Sequence, residues 1–229
     1  MFRKSDMNTY KAEVVCHNCG KKEKVHIHAL LDTAKDASIE GQLFTGKLFR
    51  HTCSRCHTPQ NMLYTCMYHD GSKNLLLGYP DNEKDYEELS LVLNRRYHRD
   101  ELDDALNKWL DTCTRRIVSS QSDMQEKALI ARLELDDRII EIGKYVTGDM
   151  AKNQSQDLKI DQMYFNTAED GYLFLIQSGD QIVGEIPFTK ELYQTLEEHY
   201  KPFLQDDDSV EIDQVWTMDF LAKVKEKSA

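Results

Sequence analysis

Two short stretches, 16-CHNCG-20 and 53-CSRCH-57, decide the fold of the N-terminal part of the chain. Each contains two cysteines separated by two residues, a spacing that folds as a tight knuckle whose sulfur atoms converge. The position after the second cysteine favours a positive φ, which suits Gly20 better than His57. Two knuckles together supply the four ligands of one tetrahedral metal ion. We therefore predict a metal site formed by Cys16, Cys19, Cys53 and Cys56.

The metal predicted at this site is a structural Zn²⁺ ion. The chain has six cysteines, and its start, MFRKSDMNTYK, lacks the apolar segment of a secretory signal, so we expect a reduced, cytoplasmic protein without a disulfide framework. Rubredoxin-like iron and a redox dithiol are the alternatives to zinc. Because four thiolates close the coordination shell, no position stays open for water, which disfavours a hydrolytic role.

Charge is distributed unevenly along the 229 residues, whose net charge is −11. Residues 1–80 carry 11 Lys and Arg against 7 Asp and Glu, whereas residues 81–229 carry 18 against 33. An acidic body repels phosphate backbones, so only the first 80 residues suit nucleic acid.

The composition, 40% hydrophobic and 30% charged, is that of a globular protein, and no apolar run approaches the 18 residues of a membrane span.

The segment between and after the knuckles predicts a small β domain with a helical insert. Apolar residues alternate with polar ones over 24–29, which predicts a strand with one buried face. Residues 36–44 form a short predicted helix, and residues 48–52 run extended into the second knuckle. Asp70-Gly71 favours a hairpin turn, since both residues tolerate positive φ. We therefore predict a zinc-ribbon-like domain over residues 1–80.

Three segments of the chain, VVCHNCGKKEKVHIHALLD (14–32), LFTGKLFRHTCSRCH (43–57) and YHDGSKNLLLGYP (68–80), resemble the CpXC protein family. This bacterial and archaeal family is named for its two cysteine pairs and has no established function. The resemblance extends through RRIVSS (115–120), residues 126–146 and ELYQTLEEHY (191–200). It implies the four cysteines as a family signature and carries over no catalytic residue.

The chain departs from the family name at one position of each knuckle. Members of the family usually have Pro after the first cysteine of a pair, whereas this chain has His17 and Ser54 there. Proline stiffens the backbone but donates no metal bond. The departure therefore concerns the rigidity of the site and not its ligands.

The middle of the chain, residues 81–148, is predicted to be helical. Helices are expected over 85–93 and 100–110, the second with Leu106 and Trp109 buried, before a short extended connector over 115–119. A capping-box pattern at Ser122 predicts the start of a long helix that ends near Thr147, with Gly148 as its stop. An apolar stripe at helical spacing supports it, and its members are Met124, Ala128, Ala131, Leu135, Ile139, Ile142 and Val146.

The C-terminal segment, residues 160–229, follows a polar linker predicted over 149–159. Apolar runs alternate with Asp-Gly and Gly-Asp turn signals, which indicates an antiparallel three-stranded sheet over 160–165, 172–177 and 181–186. Thr189 and Asp213 are predicted to cap two further helices. The whole chain is therefore predicted to be α+β: a zinc-ribbon-like β domain, long central helices, and a three-stranded sheet with helices.

Several other side chains invite functional interpretations that simpler ones outweigh. His26 and His28 share one face of a strand and would chelate a second ion, but an exposed polar strand face explains them as well. Asp70 beside His69 suggests a dyad, yet its carboxylate is expected to serve the turn. Cys66 and Cys113 are expected to be small buried apolar groups.

An acidic cluster in the predicted long helix is interpreted as a solvated helix face. Paired carboxylates perform acid–base chemistry, but adjacent helical residues point about 100° apart, and basic neighbours are available for screening. The cluster consists of Glu134, Asp136, Asp137 and Glu141.

Three functions of different classes follow from these patterns. We favour a structural zinc protein that serves as an interaction or scaffold module for a protein partner. The alternative is nucleic-acid binding through the mildly basic ribbon, by Lys21, Lys22, Lys24, Arg50 and Arg55. An enzyme with an unfamiliar site, around the helix carboxylates, has the least support.

Overall fold

The computed structural model describes residues 9–94, 102–154, 159–169 and 171–227. Within these residues the chain is α+β, as predicted, and forms two compact units that divide between Gln125 and Glu126. The helices are α1 (Ser38–Phe44), α2 (Glu83–Leu93), α3 (Leu102–Asp111), α4 (Gln121–Arg132), α5 (Asp137–Gln154), α6 (Lys190–Tyr200) and α7 (Gln214–Lys227). The strands are β1 (Thr9–Val15), β2 (Lys22–His28), β3 (Leu30–Asp32), β4 (Arg50–Thr52), β5 (Pro59–Asn61), β6 (Cys66–Asp70), β7 (Leu75–Tyr79), β8 (Thr114–Ile117), β9 (Gln162–Ala168), β10 (Gly171–Ser178) and β11 (Gln181–Phe188).

Two antiparallel hairpins of the first unit carry the cysteine pairs in their turns. β1 pairs with β2, and the last ladder pair, Val15 with Lys22, encloses the first knuckle. β4 pairs with β5 in the same way, and Thr52 opposite Pro59 encloses the second. The predicted strand near 24–29 and the extended segment that enters the second knuckle are confirmed. Each knuckle is therefore held at the tip of its own hairpin.

A mixed four-stranded sheet forms the core of the first unit, in the order β3-β6-β7-β8. β6 and β7 form the predicted antiparallel hairpin, and the outer strands β3 and β8 pair in parallel with them. All five residues of β7 are buried, which is typical of a strand covered on both faces. The short extended connector predicted over 115–119 is confirmed in part by β8, whereas the three-residue strand β3 and the parallel pairing of both edge strands were not predicted.

Helix α2 packs closely on the sheet at Gly78, where an added Cβ would lie 2.9 Å from Leu93 Cδ1. Helix α3 buries Leu110, but the predicted burial of Leu106 and Trp109 is wrong, since each keeps 39% of its surface exposed. The rings of Trp109 and His69 form a T-shaped pair, with 5.2 Å between their centroids. Residues 100 and 101 of the predicted helix lie outside the described residues.

The predicted single helix from Ser122 to Thr147 is wrong, because α4 ends at Arg132 and α5 begins at Asp137. Glu134 adopts φ +59° between them. The amide of Leu135 donates to the Ile130 carbonyl, which with the Glu134-to-Ala131 bond makes a Schellman motif. Since the apolar stripe continues across this break, its spacing did not reveal it.

The predicted ends of that helix also shift. Ser120 Oγ accepts from the Asp123 amide at 3.0 Å, so the capping residue lies two residues before the predicted cap at Ser122 and α4 begins at Gln121. The predicted stop at Gly148 is wrong because α5 continues to Gln154. Residues 149–154 of the predicted linker are therefore helical, and residues 155–158 lie outside the described residues. The predicted domain boundaries at 80, 148 and 159 stay predictions.

The second unit contains the predicted antiparallel sheet, in the order β11-β10-β9. Phe174 and Phe188 lie on its buried face, and α5 packs there so closely that a Cβ on Gly143 would lie 2.7 Å from Phe188 Cε2. The predicted caps are confirmed. Thr189 accepts from the Leu192 amide at 3.1 Å, and Asp213 accepts from the Trp216 amide at 2.8 Å.

Candidate metal centre

The four cysteines that the spacing singled out come together between the tips of the two hairpins. The Sγ atoms of Cys16 and Cys56 lie 3.5 Å apart, and those of Cys19 and Cys53 lie 3.7 Å apart. All four sulfur atoms lie within 4.8 Å of one another. Each short contact therefore joins one knuckle to the other.

The two knuckles repeat one backbone pattern, which explains why both sulfur pairs face inward. In the first, the Cys16 amide donates to the Lys21 carbonyl at 2.8 Å, and the Gly20 amide donates to the Cys16 carbonyl at 2.9 Å. In the second, the Cys53 amide donates to Thr58 at 3.1 Å, and the His57 amide donates to Cys53 at 2.9 Å. Gly20 and His57 both adopt positive φ, +67° and +55°.

The sulfur geometry fits a tetrahedral metal ion. With metal–sulfur bonds of about 2.3 Å, the sulfur atoms of a tetrahedron lie about 3.8 Å apart, close to the two short separations. A disulfide requires about 2.05 Å, and the cysteines are free. Cys16, Cys19, Cys53 and Cys56 would be the complete ligand set of such an ion, which would link the two hairpins. Soft thiolates suit zinc and iron, so the donors alone do not select one of them.

Two of the thiols have shifted pKa values that follow from their neighbours. Hydrogen bonds with the Thr58 side chain and backbone lower the pKa of Cys56 to about 5, which favours the thiolate that a metal requires. A backbone hydrogen bond with Lys21 acts in the same direction on Cys19. Burial and hydrogen bonds with the other three cysteines outweigh it and raise the pKa of Cys19 to about 11. Four crowded thiols thus resist full ionisation without a cation.

A carboxylate that the sequence analysis did not single out also lies at this site. Glu23 on β2 accepts hydrogen bonds from the amide and hydroxyl of Ser54 in the second knuckle. These bonds hold the pKa of Glu23 well below its ordinary value. Further bridges join the hairpins: Asn18 Nδ2 donates to Thr58 Oγ1 at 2.9 Å, and the Gln60 side chain accepts from His17 N at 3.2 Å.

The basic side chains proposed for nucleic acid are partly neutralised. Lys21 Nζ lies 3.1 Å from Glu23, and Lys22 Nζ lies 3.0 Å from Glu13. Lys24 and Arg50 are exposed. The surface beside the knuckles is therefore less basic than the lysine count indicates.

The other side chains considered in the sequence analysis lie apart from the four cysteines. His26 and His28 are exposed, in agreement with an exposed polar strand face, and whether they bind a second ion stays a prediction. Asp70 serves its turn by accepting from the Ser72 amide at 2.9 Å. Cys66 and Cys113 are buried, and burial raises the pKa of Cys66 to about 12.

The interpretation of the acidic cluster as a solvated face is wrong for Asp137 and Glu141. Their side chains are each only 9% exposed. Both carboxylates pair with the ammonium of Lys127, whose Nζ lies 2.9 Å from Asp137 and 3.6 Å from Glu141. Lys144 pairs with Glu141 at 2.8 Å and with Glu126 at 2.7 Å. We call these five residues of α4 and α5 the buried ionic network.

Backbone groups complete the buried ionic network. The Phe165 amide donates to Glu126, and Lys127 donates to the Ile212 carbonyl at 3.1 Å. Burial raises the pKa of Glu126 above its ordinary value. Burial lowers the pKa of Lys144, but Glu126 and Glu141 outweigh that effect and hold it above its ordinary value. Each charged group of the buried ionic network thus lies beside a group of opposite charge.

Two hairpin tips bring together four cysteines with the geometry to hold one metal ion, and they define the candidate site of this α+β protein. The family model described as CpXC protein matches residues 14–144, more than half of the chain and all four cysteines, so the chain belongs to this family. ELYQTLEEHY lies beyond that match. Neither the search of curated proteins nor that of solved structures found a match. In the described part of the chain, no helix has the length and hydropathy needed to cross a bilayer.

Proposed function

We propose that the four cysteines bind one structural Zn²⁺ ion and that residues 1–80 form a zinc-ribbon-like domain. The observation that carries this proposal is the convergence of four sulfur atoms within 4.8 Å at the tips of two hairpins. Four thiolates are a closed ligand set, which is typical of structural and not of catalytic zinc. Six free cysteines also suit a reducing compartment, and we place the protein in the cytoplasm.

The protein acts, on this proposal, as an interaction or scaffold module. Two short hairpins have little core of their own, so the metal supplies the free energy that orders them. The ordered hairpin tips then present a fixed surface to a protein partner. Chemistry at the metal is not part of this proposal.

Affinity capture from the native host tests the proposal directly. Tagged wild type is compared with a Cys53→Ser, Cys56→Ser double variant and with Cys113→Ser, which removes a buried cysteine outside the cluster. We expect a partner to be retained by wild type and Cys113→Ser and lost by the double variant. Equal retention by all three would contradict a metal-dependent surface.

We expect the partner to be a protein and not nucleic acid. Lys21 and Lys22 are paired with carboxylates, and residues 81–229 are strongly acidic. Retention on DNA or RNA at physiological salt, abolished by changing Lys21, Lys22 and Lys24 to Glu, would overturn this expectation.

A further inference from the structure

Glu23 connects the first hairpin to the segment that carries Cys53. It lies on β2, four residues after Cys19, and its side chain is 15% exposed. One carboxylate oxygen accepts from the Ser54 amide at 3.0 Å and lies 3.4 Å from His51 Nε2. The other accepts from the Ser54 hydroxyl. Glu23 thus contacts residues on both sides of Cys53.

The charge of this carboxylate is balanced locally. Lys21 Nζ lies 3.1 Å from Glu23 Oε1 and also donates to Ser54 Oγ. Without that ammonium, Glu23 would add a negative charge beside four thiolates and oppose their ionisation. Because the Lys21 ammonium balances that charge, the effect of Glu23 on the site comes from the hydrogen bonds that it accepts from Ser54.

The contacts to Ser54 explain how the second knuckle is held although it lacks proline. Proline at position 54 would restrict φ but would have no amide hydrogen to donate to Glu23. Ser54 donates through both its amide and its hydroxyl instead. Charge-assisted hydrogen bonds of this kind are stronger and more directional than neutral ones.

We propose that Glu23 is a positioning residue of the metal centre, which aligns the Cys53 knuckle with the Cys16 knuckle through Ser54 and His51. The inference rests on the proposed metal site and adds the residue that organises it. Groups that orient metal ligands typically change metal affinity 10- to 100-fold when replaced. Glu23 acts on the ligands without itself binding the ion.

The test measures Zn²⁺ affinity by chelator competition, and the visible spectrum with Co²⁺, on the full chain under reducing conditions. The variants are Glu23→Gln, Glu23→Ala and Ser54→Ala. The matched control is Glu13→Gln, a carboxylate on the neighbouring strand that pairs with Lys22 at 3.0 Å and is 51% exposed. We expect Glu23 variants to bind Zn²⁺ at least 10-fold more weakly with altered Co²⁺ bands, and the control to bind within twofold of wild type.

Two further readouts separate positioning from general stability. The effect of Glu23→Gln with Ser54→Ala should be smaller than the sum of the single effects, since both changes break one interaction. In protein saturated with Zn²⁺, the Ser54 amide should exchange faster with solvent in Glu23→Ala than in Glu13→Gln. A positioning role would be overturned if the Glu23 variants bound Zn²⁺ more weakly but kept the Co²⁺ bands of wild type, and if the effects of Glu23→Gln and Ser54→Ala on Zn²⁺ affinity were additive.

The outcomes also distinguish this inference from the proposed function. Wild type that binds one metal ion, with Glu23 variants binding equally tightly, overturns the role of Glu23 and leaves the metal site intact. Wild type that binds no metal overturns the proposed function. In that case, Ser54 amide exchange that is the same in Glu23→Ala as in wild type would also overturn the role of Glu23 in aligning the two knuckles.

Discussion

Left-handed backbone at Gly20 and His57 closes the two knuckles. At Gly20 an added Cβ would have no atom within 4 Å, so a substitution there meets no steric clash with neighbouring residues and costs only backbone strain. His57 carries that strain in the native protein at φ +55°. A left-handed non-glycine residue costs roughly 1–2 kcal/mol.

Replacing Gly20 by Ala should therefore lower the free energy of unfolding by about 1–2 kcal/mol, measured by urea denaturation. His57→Gly should leave it unchanged or slightly higher. Gly41→Ala is the control, because it adds the same methyl group within α1, also with no atom within 4 Å. Equal effects of Gly20→Ala and Gly41→Ala would contradict the strain argument.

The four cysteines of the candidate site were predictable at the residue scale, whereas the carboxylate beside them was not. A Cys-x-x-Cys pair is a local pattern, and the four cysteines of the two pairs came together as expected. The role of Glu23 depends on a contact with Ser54, 31 residues away along the chain, and a glutamate in a strand has no local signal. Long-range pairing of this kind requires the fold.

Helices α4 and α5 are joined by the buried ionic network. Removing one charge from such a network leaves buried charges without full compensation, which typically costs about 3–5 kcal/mol. An exposed pair such as Lys201 with Glu197 contributes less than about 1 kcal/mol. The two kinds of ion pair are therefore separable by experiment.

Lys127→Met should lower the free energy of unfolding by about 3–5 kcal/mol, because Asp137 and Glu141 lose a buried ammonium. Lys201→Met, which removes an exposed ammonium, should change it by less than about 1 kcal/mol. Urea denaturation of both variants and wild type measures the difference. A similar loss of unfolding free energy in Lys127→Met and Lys201→Met would contradict the argument that burial makes the network ion pairs more stabilising than an exposed pair.

The pH dependence of stability should identify Glu126 within the network. Burial raises the pKa of Glu126 in the folded protein. Its contribution to the free energy of unfolding is therefore complete below the pKa of about 4.3 in the unfolded chain, and it is lost as the pH rises through the pKa in the folded protein. The stability of wild type relative to Glu126→Gln should therefore fall as the pH increases from 4 towards neutrality. A relative stability that rises with pH over that interval would contradict the raised pKa.

Periodic segments were predicted well at the element scale, and breaks within them were not. The C-terminal strands and the caps at Thr189 and Asp213 follow directly from turn and capping residues. The break at Glu134 was missed because glutamate is rare in left-handed conformation and the apolar stripe continues past it. The buried ionic network was missed because charged residues on a helix normally face solvent.

The whole molecule consists of two compact units, and all four predicted ligands lie in the unit that ends at Gln125. The hairpins β1–β2 and β4–β5 are short and lie outside the four-stranded sheet of that unit. Metal binding is therefore expected to stabilise these hairpins first.

Removal of the metal by a chelator should increase amide hydrogen exchange in residues 9–61 and leave it unchanged in α5 and α6, measured by mass spectrometry. The reason is that the hairpins depend on the ligands, whereas the second unit has its own aromatic core at Phe174 and Phe188. Cys113→Ser treated in the same way is the control. Uniform exchange changes across both units would contradict local ordering by the metal.

The most direct test of the account is the metal content of the purified chain. Elemental analysis under reducing conditions should find one zinc ion per chain in wild type and in Cys113→Ser, and none in Cys53→Ser. The absence of tightly bound metal from wild type, or retention of zinc by Cys53→Ser, would contradict a centre formed by Cys16, Cys19, Cys53 and Cys56.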